Sequence, residues 1–447
     1  MPQSQAGVID SLNFDLLNTD KNGGSYQAVS LTKGFDFVFV RPGTPNPAAS
    51  TVRLFGDNAL DGFTVEEISE GGSVPFLRAK NATAFDVLLL AGQLVQGGKQ
   101  NRGINADMLV AAGQSAKIPV TCVEQGRWSG TPRSRFGHAG FEPIEVRSAK
   151  MRDVHQSRRE GREAVANQER VWSKISAMSS SLGCVSPSSD LLESMRVVRD
   201  RHVDPSSRFN ARIEATEVHP STVDELRFVE GRLQSMQLET RQLMDQLHVA
   251  LGDSESPQIN GLRRDLDRVL REIALIQQQR DRLREQIADR ANDPSGDSRW
   301  HADFTAADQA AQGASGMLVF FNGEFLAGDI FADPQWFSKV YRDLRDSALM
   351  SWEFVARRQA RARREMDPAS SVKAASTARS VVRDALGGDW AERPAIAHGR
   401  SMLLEHPYLE SAVLGGRDGS PLHLLVGTKQ QPEILRTNDE RPRRPVY

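Results

Sequence analysis

The chain of 447 residues has little cysteine and no excess of either charge. Its only cysteines are Cys122 and Cys184, and its formal net charge is −2 at pH 7. Two cysteines argue against a disulfide framework or a cysteine-rich zinc site, and they suit a reducing compartment. The balanced charge provides neither a basic field for nucleic acid nor an acidic tail.

Long hydrophobic runs are also missing. No stretch approaches the ~20 apolar residues that a membrane-spanning helix needs. The N-terminus, MPQSQAGVIDSLNF, lacks the basic segment and apolar core of a signal peptide. We therefore expect a cytoplasmic protein that does not enter a membrane. The hydrophobic content of 39% is enough for one large core or two ordinary cores.

Short β-strands are predicted between residues 35 and 128. Apolar stretches such as FDFVFV, FDVLLLAG and KIPVTCVE recur about every ten residues, separated by Gly, Pro and Asn. This spacing predicts a sandwich or barrel-like sheet. Pro119 favours the start or the edge of its strand, because proline cannot donate a hydrogen bond to a neighbouring strand.

The second half of the chain mixes helices and hairpins. Helical patterns run over 147–183 and over DLLESMRVV, and a long helix is predicted to start near Pro334. Asn322-Gly323 between two apolar runs predicts a two-residue hairpin turn, since both positions favour positive φ. The segment 367–380 is a polar, Ala/Ser-rich stretch, and SAVLGGRDGSPLHLLVG predicts a closing hairpin.

Heptad spacing is the clearest helical signal. Two sets of residues follow it, interrupted by GDSESPQING: Leu226, Val229, Leu233, Met236, Thr240, Leu243, Leu247 and Ala250, then Leu262, Leu266, Val269, Ile273, Ile276, Arg280, Leu283 and Ile287. The Pro and Gly of the linker cannot continue a helix. The pattern therefore predicts an antiparallel coiled-coil hairpin.

These patterns together predict an α+β protein with a β-rich sandwich or barrel-like core, flanking helices and an inserted coiled-coil hairpin. The predicted segments are a flexible arm (1–34), a first β-rich part (35–146), a helical part (147–221), the hairpin (222–291), a second α+β part (300–430) and a disordered tail (431–447).

Two polar clusters at predicted strand ends are the candidate ligand site. The first comprises Gly97, Gly98, Lys99, Gln100, Asn101 and Arg102; the second comprises Glu124, Gln125, Arg127 and Trp128. Glycines allow close approach to an anionic group, Lys and Arg supply charge, and Trp128 could stack on a ring. The alternative is structural: a tight turn, with a Glu124–Arg127 ion pair and Trp128 capping the core.

Other reactive side chains give weaker signals. Cys122 is a candidate nucleophile only if a base or positive charge ionises it; strand alternation instead favours a buried thiol. His423 alternates within LHLLV, which favours a satisfied sheet residue. No metal and no cofactor are predicted. The basic run RRQARARRE (357–365) favours a solvated helix end over a nucleic-acid contact.

Three runs of sequence resemble a known family. GGKQNR (97–102), IPVTCVEQGRW (118–128) and QERVW (168–172) carry the resemblance, with weaker support from SPSSDL, GMLVFFNGEFLAGDIF and LHLLV. The chain resembles, over about 35–430, the bacterial and archaeal ARG-and-rhodanese-phosphatase-superfamily-associated protein domain. The segment from about 220 to 295 is expected to be an insertion that the family does not require. The family name records an association with ADP-ribosylglycohydrolase and rhodanese/phosphatase-type domains. The resemblance therefore implies a role in nucleotide or ADP-ribose metabolism, but it implies no catalytic residues.

Two functions follow as hypotheses. The first is a small-molecule-binding protein that acts on or senses a nucleotide or ADP-ribose-type ligand, with the two polar clusters in one pocket; catalytic residues are unknown. The second is a non-catalytic scaffold whose hairpin, 222–291, associates with itself or with another protein. If the polar residues converge on one pocket, the first hypothesis gains support.

Overall fold

The computed structural model describes residues 24–31, 34–41, 51–57, 60–69, 72–127, 135–184, 186, 188–203, scattered positions from 229 to 247, 259–291, 304–362, 370–418 and 420–429. The predicted tail, Trp128 and most of the predicted arm lie outside these residues. The chain divides into two compact units, residues 1–199 with 302–447, and residues 200–301.

An antiparallel sheet of eight strands forms the largest part of the first unit. The strands lie in the order β1-β2-β12-β13-β17-β16-β15-β14. Their bounds are Ser25–Ser30, Phe35–Arg41, Gly316–Phe321, Glu324–Phe331, Pro421–Thr428, Leu409–Gly415, Arg400–Glu405 and Asp389–Arg393, respectively. Residues 25–30 thus pair with β2, which corrects the predicted arm: its last residues are an edge strand.

Both faces of this sheet are buried, which explains its continuous apolar runs. In β2, Phe35, Phe37 and Phe39 belong to one core, which also takes in helix α6 (Pro334–Ala362). Val38 and Val40 belong to a second core, closed by helix α7 (Ser370–Leu386). Side chains alternate between the two faces of a strand, so a strand covered on both sides needs apolar residues at nearly every position.

Two smaller sheets complete the first unit, and the six-stranded one carries both polar clusters. The six-stranded sheet has the order β11-β7-β8-β10-β5-β4, and the three-stranded sheet the order β3-β6-β9. The bounds are, for the first, Gly137–Phe141, Gln93–Gln96, Arg102–Ile104, Ser115–Cys122, Phe76–Asn81 and Phe63–Glu67, and for the second, Val52–Leu54, Asp86–Leu89 and Met108–Val110. A third core joins them.

Pro119 occupies neither the start nor the edge of its strand. Strand β10 pairs with β5 through residue 119 and with β8 from residue 120 onward. The proline lies where the strand changes partner, and its carbonyl accepts from Asn105 N–H at 3.0 Å. A missing N–H is tolerated at such a junction, because the regular ladder is already interrupted there.

The helical pattern over 147–183 forms two helices. Helix α1 is Ile144–Arg159 and helix α2 is Gln168–Ser181. Gly161, with φ of 73°, lies in the break, and Asn167 caps α2 by accepting from Arg170 N–H at 2.9 Å. Helix α3 is Leu191–Val203. Positive φ and an Asn cap are the usual marks of a helix end and a new start.

The polar, Ala/Ser-rich stretch, for which the sequence pattern predicted no helix, forms most of α7. The buried face of that helix is Ala374, Ala378, Val381, Val382 and Ala385. These positions have helical spacing, but three of them are alanines, whose small side chains give a weak apolar signal. A short helix, α5 (Thr305–Ala310), precedes β12.

Other local predictions are confirmed. Asn322 and Gly323 have φ of 47° and 73° and join β12 to β13. Strands β16 and β17 form the closing hairpin, and a long helix begins at Pro334. The α+β class is confirmed. No helix in the described ranges is both long enough and apolar enough to cross a bilayer.

The second unit contains helix α4, Ile259–Ala291. Helical positions between 229 and 247 precede it. Val229, Leu233 and Met236 pack with Val269 and Ile276 in one apolar cluster. All five are heptad positions of the sequence.

Candidate functional site

The first polar cluster is the turn between β7 and β8. Gly97 has φ of 141° and Gly98 has φ of 48°, both in a region that favours glycine. A Cβ on Gly98 would lie 2.2 Å from the Phe136 ring, and one on Gly97 would lie 2.5 Å from the Arg135 carbonyl. The two glycines therefore allow a close contact with the segment before β11.

Glu124 joins the two clusters. Its Oε2 accepts from Asn101 N–H at 3.1 Å and lies 2.7 Å from Arg127 Nη2. Its Oε1 accepts from Arg127 Nε at 2.9 Å and from the Ser188 hydroxyl at 2.9 Å. Arg127 also donates to the Gly98 carbonyl at 2.9 Å. Glu124 and Arg127 thus make the ion pair of the structural alternative.

Glu124 is held as a carboxylate. Burial would raise its pKa, but the hydrogen bonds from Arg127, Asn101 and Ser188 outweigh burial, so its pKa lies below the usual value. A carboxylate stabilised in its charged form is a weak proton acceptor at neutral pH. The geometry therefore favours a positioning role over general-base chemistry.

Gln100, Asn101 and Arg102 are buried rather than presented to solvent. Gln100 Nε2 donates to the Glu124 carbonyl at 2.8 Å. Asn101 Nδ2 donates to Asp190 Oδ2 at 3.1 Å, and Arg102 Nη1 donates to the Asn101 carbonyl at 3.4 Å. Among the described residues of the two clusters, Gly97, Lys99, Gln125 and Arg127 have solvent access, and the last three present polar side chains.

Cys122 is buried behind this network. Its thiol lies 3.2 Å from Gln100 Oε1 and 3.0 Å from the Glu124 carbonyl, positioned to donate to either oxygen. Burial raises the thiol pKa and outweighs the positive charge of Arg102. A protonated, inaccessible thiol behaves as a small hydrophobic group rather than as a nucleophile.

Three further residues complete the network, although the sequence patterns did not select them. Gln168 pairs with the Cys122 backbone in both directions, each at 2.8 Å. Ser188 and Asp190 bind Glu124 and Asn101 from the segment before α3. Their signal was present, because QERVW and SPSSDL are two of the runs that carry the family resemblance.

A second buried network centres on His423. Its Nδ1 lies 2.6 Å from Asp107 Oδ2, and its Nε2 lies 3.1 Å from Asp329 Oδ1. Arg147 Nη1 donates to Asp329 Oδ2 at 2.7 Å. His423 is therefore a satisfied sheet residue, as its alternation predicted. Burial would lower its pKa, but the two carboxylates outweigh burial and raise it to about 9.

A cleft of about 270 Å³, here called the basic cleft, lies along the other half of strand β10. Cationic and apolar side chains line its walls. The cationic residues are Lys117, Arg158, Arg162 and Arg393, and the apolar residues include Phe76 and Ile396. The residues come from β5, from β10, from the end of α1 and the turn that follows it, and from the end of β14 and the segment that follows it. A smaller cavity of about 20 Å³ lies behind Arg158 and is lined partly by Asp107, His155 and Ser401.

The four cations of the basic cleft have different partners. Lys117 pairs with Glu163 and lies 4.0 Å from the centre of the Phe76 ring, and Arg162 pairs with Glu160. Arg158, which is buried, donates to the Ser401 hydroxyl at 2.9 Å and to the Pro394 carbonyl at 2.8 Å. Both acceptors of Arg158 are neutral, so its charge is not offset by direct contact with a carboxylate.

The predicted polar clusters and the basic cleft are thus separate sites on one scaffold. Gly97 to Arg102 converge with Glu124 and Arg127, but the described basic cleft is lined by other residues. Among the residues that the structure describes, no group of three or more His, Cys, Asp or Glu side chains is placed to hold a metal ion.

A family assignment follows from the sequence as a whole. The profile of the ARG and Rhodanese-Phosphatase-superfamily-associated Protein domain matches residues 43–236 and 260–426. The chain belongs to this family. The match includes both polar clusters, Gln168, Asp190 and all the named residues of the basic cleft.

The match also bears on the expected insertion. Only 237–259 separates its two parts, so residues 222–236 and helix α4 from residue 260 onward fall within the family match. The expectation that the family lacks the whole segment from 220 to 295 is therefore wrong. No match to the chain was found among curated proteins, and none among solved structures.

Proposed function

We propose that this protein binds a small anionic molecule in the basic cleft, with a nucleotide or ADP-ribose-type ligand as the leading class. One observation carries the proposal: a cleft of about 270 Å³ has three arginines and an exposed lysine beside apolar side chains. Ligand sites combine an apolar concave surface with a few convergent polar groups.

The chemistry of the walls matches that class of ligand. Arg158 and Arg393 provide planar guanidinium groups, which suit the geometry of phosphate oxygens. Phe76 and Ile396 provide apolar surface for a ring.

The polar clusters keep a role in this proposal. Glu124, Gln100 and Gln168 fix the end of β10, and the same strand carries Lys117 and Pro119 into the cleft. Direct ligand contact by Gly97, Gly98, Lys99, Gln100, Asn101, Arg102, Glu124, Gln125, Arg127 and Trp128 stays a prediction. Lys99, Gln125 and Arg127 would be the points of contact.

Thermal unfolding with ADP-ribose, NAD and common nucleotides tests the proposal. A ligand at 100 times its dissociation constant should add about 2.7 kcal/mol to the free energy of unfolding. Ala395→Trp should fill the cleft and abolish the shift, while Val372→Trp, at a site that is 74% exposed, should not. No shift with any ligand contradicts the proposal. If Arg127→Ala abolishes the ligand-induced shift and Ala395→Trp does not, the ligand binds at the polar clusters instead of the basic cleft.

A second candidate function is association through the segment 222–291, which we propose forms an antiparallel coiled-coil hairpin. The apolar cluster of Val229, Leu233, Met236, Val269 and Ile276 supports that hairpin. Leu270 and Leu275 are 46% and 67% exposed, and we propose that they are the positions through which the segment contacts a partner. Sedimentation of the wild type and of the double variant Leu270→Glu/Leu275→Glu tests this association. A wild-type species larger than the monomer that the substitutions dissociate supports it. A wild-type protein that stays monomeric at high concentration contradicts self-association.

A further inference from the structure

Resting on the proposed function, we infer a narrower ligand: a molecule with one terminal phosphate group, bound between Arg158 and Arg393, and a body no larger than a mononucleotide. The inference separates monophosphates from molecules with an internal diphosphate, such as ADP-ribose and NAD. Three observations support it: the partners of the four cations of the basic cleft, the Arg393 Nε donor, which has no acceptor among the described residues, and the volume of the cleft.

Arg158 is the buried end of the anion site. It lies at the end of α1, and its two hydrogen bonds go to a hydroxyl and a carbonyl. Burying a charged group without an anionic partner is unfavourable, and proteins usually pair such a group. Asp107 is the acid whose charge acts on Arg158, but it binds His423 and Ala91 N–H. An anion in the cleft would offset this charge.

Arg393 is the second guanidinium. Its Nη1 donates to the Glu392 carbonyl at 3.0 Å, and its Nη2 has a long contact of 3.7 Å with Glu405. Its Nε is buried and has no hydrogen-bond partner within the described part of the chain. A buried N–H donor without an acceptor is costly, and a rotation of the partly exposed guanidinium would let a ligand oxygen satisfy it.

The electrostatics of the pair agree with this geometry. Burial and, to a smaller extent, the positive charge of Arg393 together lower the pKa of Arg158 to about 10, against the opposing effect of Asp107. Two like charges that act on each other in a cleft favour an anion of more than one negative charge between them. A terminal phosphate monoester carries about −1.5 to −2 at pH 7, whereas each phosphate of an internal diphosphate carries only one charge.

The other two cations are already engaged at the rim. Lys117 pairs with Glu163 and lies over Phe76, and Arg162 pairs with Glu160. Two arginines therefore remain for ligand oxygens, which is enough for one phosphate group. The volume of about 270 Å³ lies just below the range of about 300–1,000 Å³ that is typical of drug-sized ligands. Both features favour a single phosphate on a small body.

Calorimetric titration tests the inference with AMP, ribose 5-phosphate, adenosine and ADP-ribose. Wild type should bind AMP at least tenfold more tightly than adenosine and ADP-ribose, and inorganic phosphate should compete with AMP. Arg393→Gln should weaken AMP binding by 10- to 100-fold. Arg383→Gln, at an exposed site of α7 outside the cleft, should leave it unchanged. Arg158→Lys keeps the charge but removes the planar group, and should weaken AMP binding if the variant remains folded.

The outcomes separate the inference from the proposed function. Tight binding of ADP-ribose that is lost in Ala395→Trp, with weak binding of AMP, overturns the single-phosphate inference but retains a ligand in the cleft. AMP binding that Arg393→Gln does not change overturns the assignment of the anion site. If the protein binds none of these four compounds, and also neither NAD nor the common nucleotides tested by thermal unfolding, both the single-phosphate inference and the proposed function are overturned. Affinity for AMP should also fall below about pH 6, where the phosphate takes up its second proton.

Discussion

His423 and Asp107 are joined by a buried contact of 2.6 Å between Nδ1 and Oδ2, although 316 residues separate them in the chain. The contact ties the last strand of the large sheet to the segment before β9. It also makes the stability of the fold depend on the charge of one histidine.

We predict that the protein loses stability between about pH 6.5 and pH 9. The pKa of His423 rises from 6.5 to about 9 on folding, so its contribution is complete below pH 6.5 and is lost as the pH passes 9. The shift corresponds to at most roughly 3 kcal/mol. Denaturant unfolding at several pH values measures it. His423→Gln should reduce the change in unfolding free energy with pH between about pH 6.5 and pH 9. An equal slope in the wild type and the variant would contradict the assignment of this change to His423.

Glu124→Gln should lower the free energy of unfolding by about 2 kcal/mol. The change removes the negative charge that accepts from Asn101, Arg127 and Ser188, but Arg127 is partly exposed, which moderates the loss. Glu392→Gln, which disrupts an exposed pair with Arg400, should cost less than about 1 kcal/mol. Similar losses in the two variants would show that the Glu124 network has no special structural role.

Cys122 should resist thiol reagents in the folded protein. It is buried, its thiol has acceptors at 3.0 and 3.2 Å, and burial raises its pKa. Labelling followed by mass spectrometry should be slow in buffer and should accelerate with unfolding in denaturant. Rapid modification of Cys122 in the native protein would instead revive the nucleophile hypothesis.

Gly103→Ala should destabilise the fold by more than about 2 kcal/mol. An added Cβ would lie 1.8 Å from Glu142 Oε1 and 2.8 Å from Lys150 Nζ, and this buried pair cannot move away freely. Gly137→Ala provides the matched control, because nothing lies within 4 Å of its added Cβ. Chemical denaturation of both variants gives the comparison. Equal stability would mean that the Glu142–Lys150 pair adjusts without cost.

Local patterns could be predicted where neighbouring residues determine the conformation. Asn322-Gly323 fixed its turn through backbone preferences, and alternating or continuous apolar runs gave the strands. The same approach failed at α7, whose buried face consists largely of alanines, and at the break between α1 and α2. A helix whose buried face is mostly alanine differs little in hydrophobicity between its two faces, so the sequence pattern does not indicate it. A continuous charged helical pattern does not indicate where one helix ends and the next begins.

The sequence by itself determined the α+β class, most strands and hairpins, and the residue types gathered around Glu124. Only the tertiary structure decided that Gln100, Asn101 and Arg102 are buried with Asp190 and Gln168, and that Arg158 and Arg393 share a cleft. The reason is physical. Turns and periodicity depend on residues close in the chain, whereas burial, pKa and cleft shape depend on which distant segments pack together.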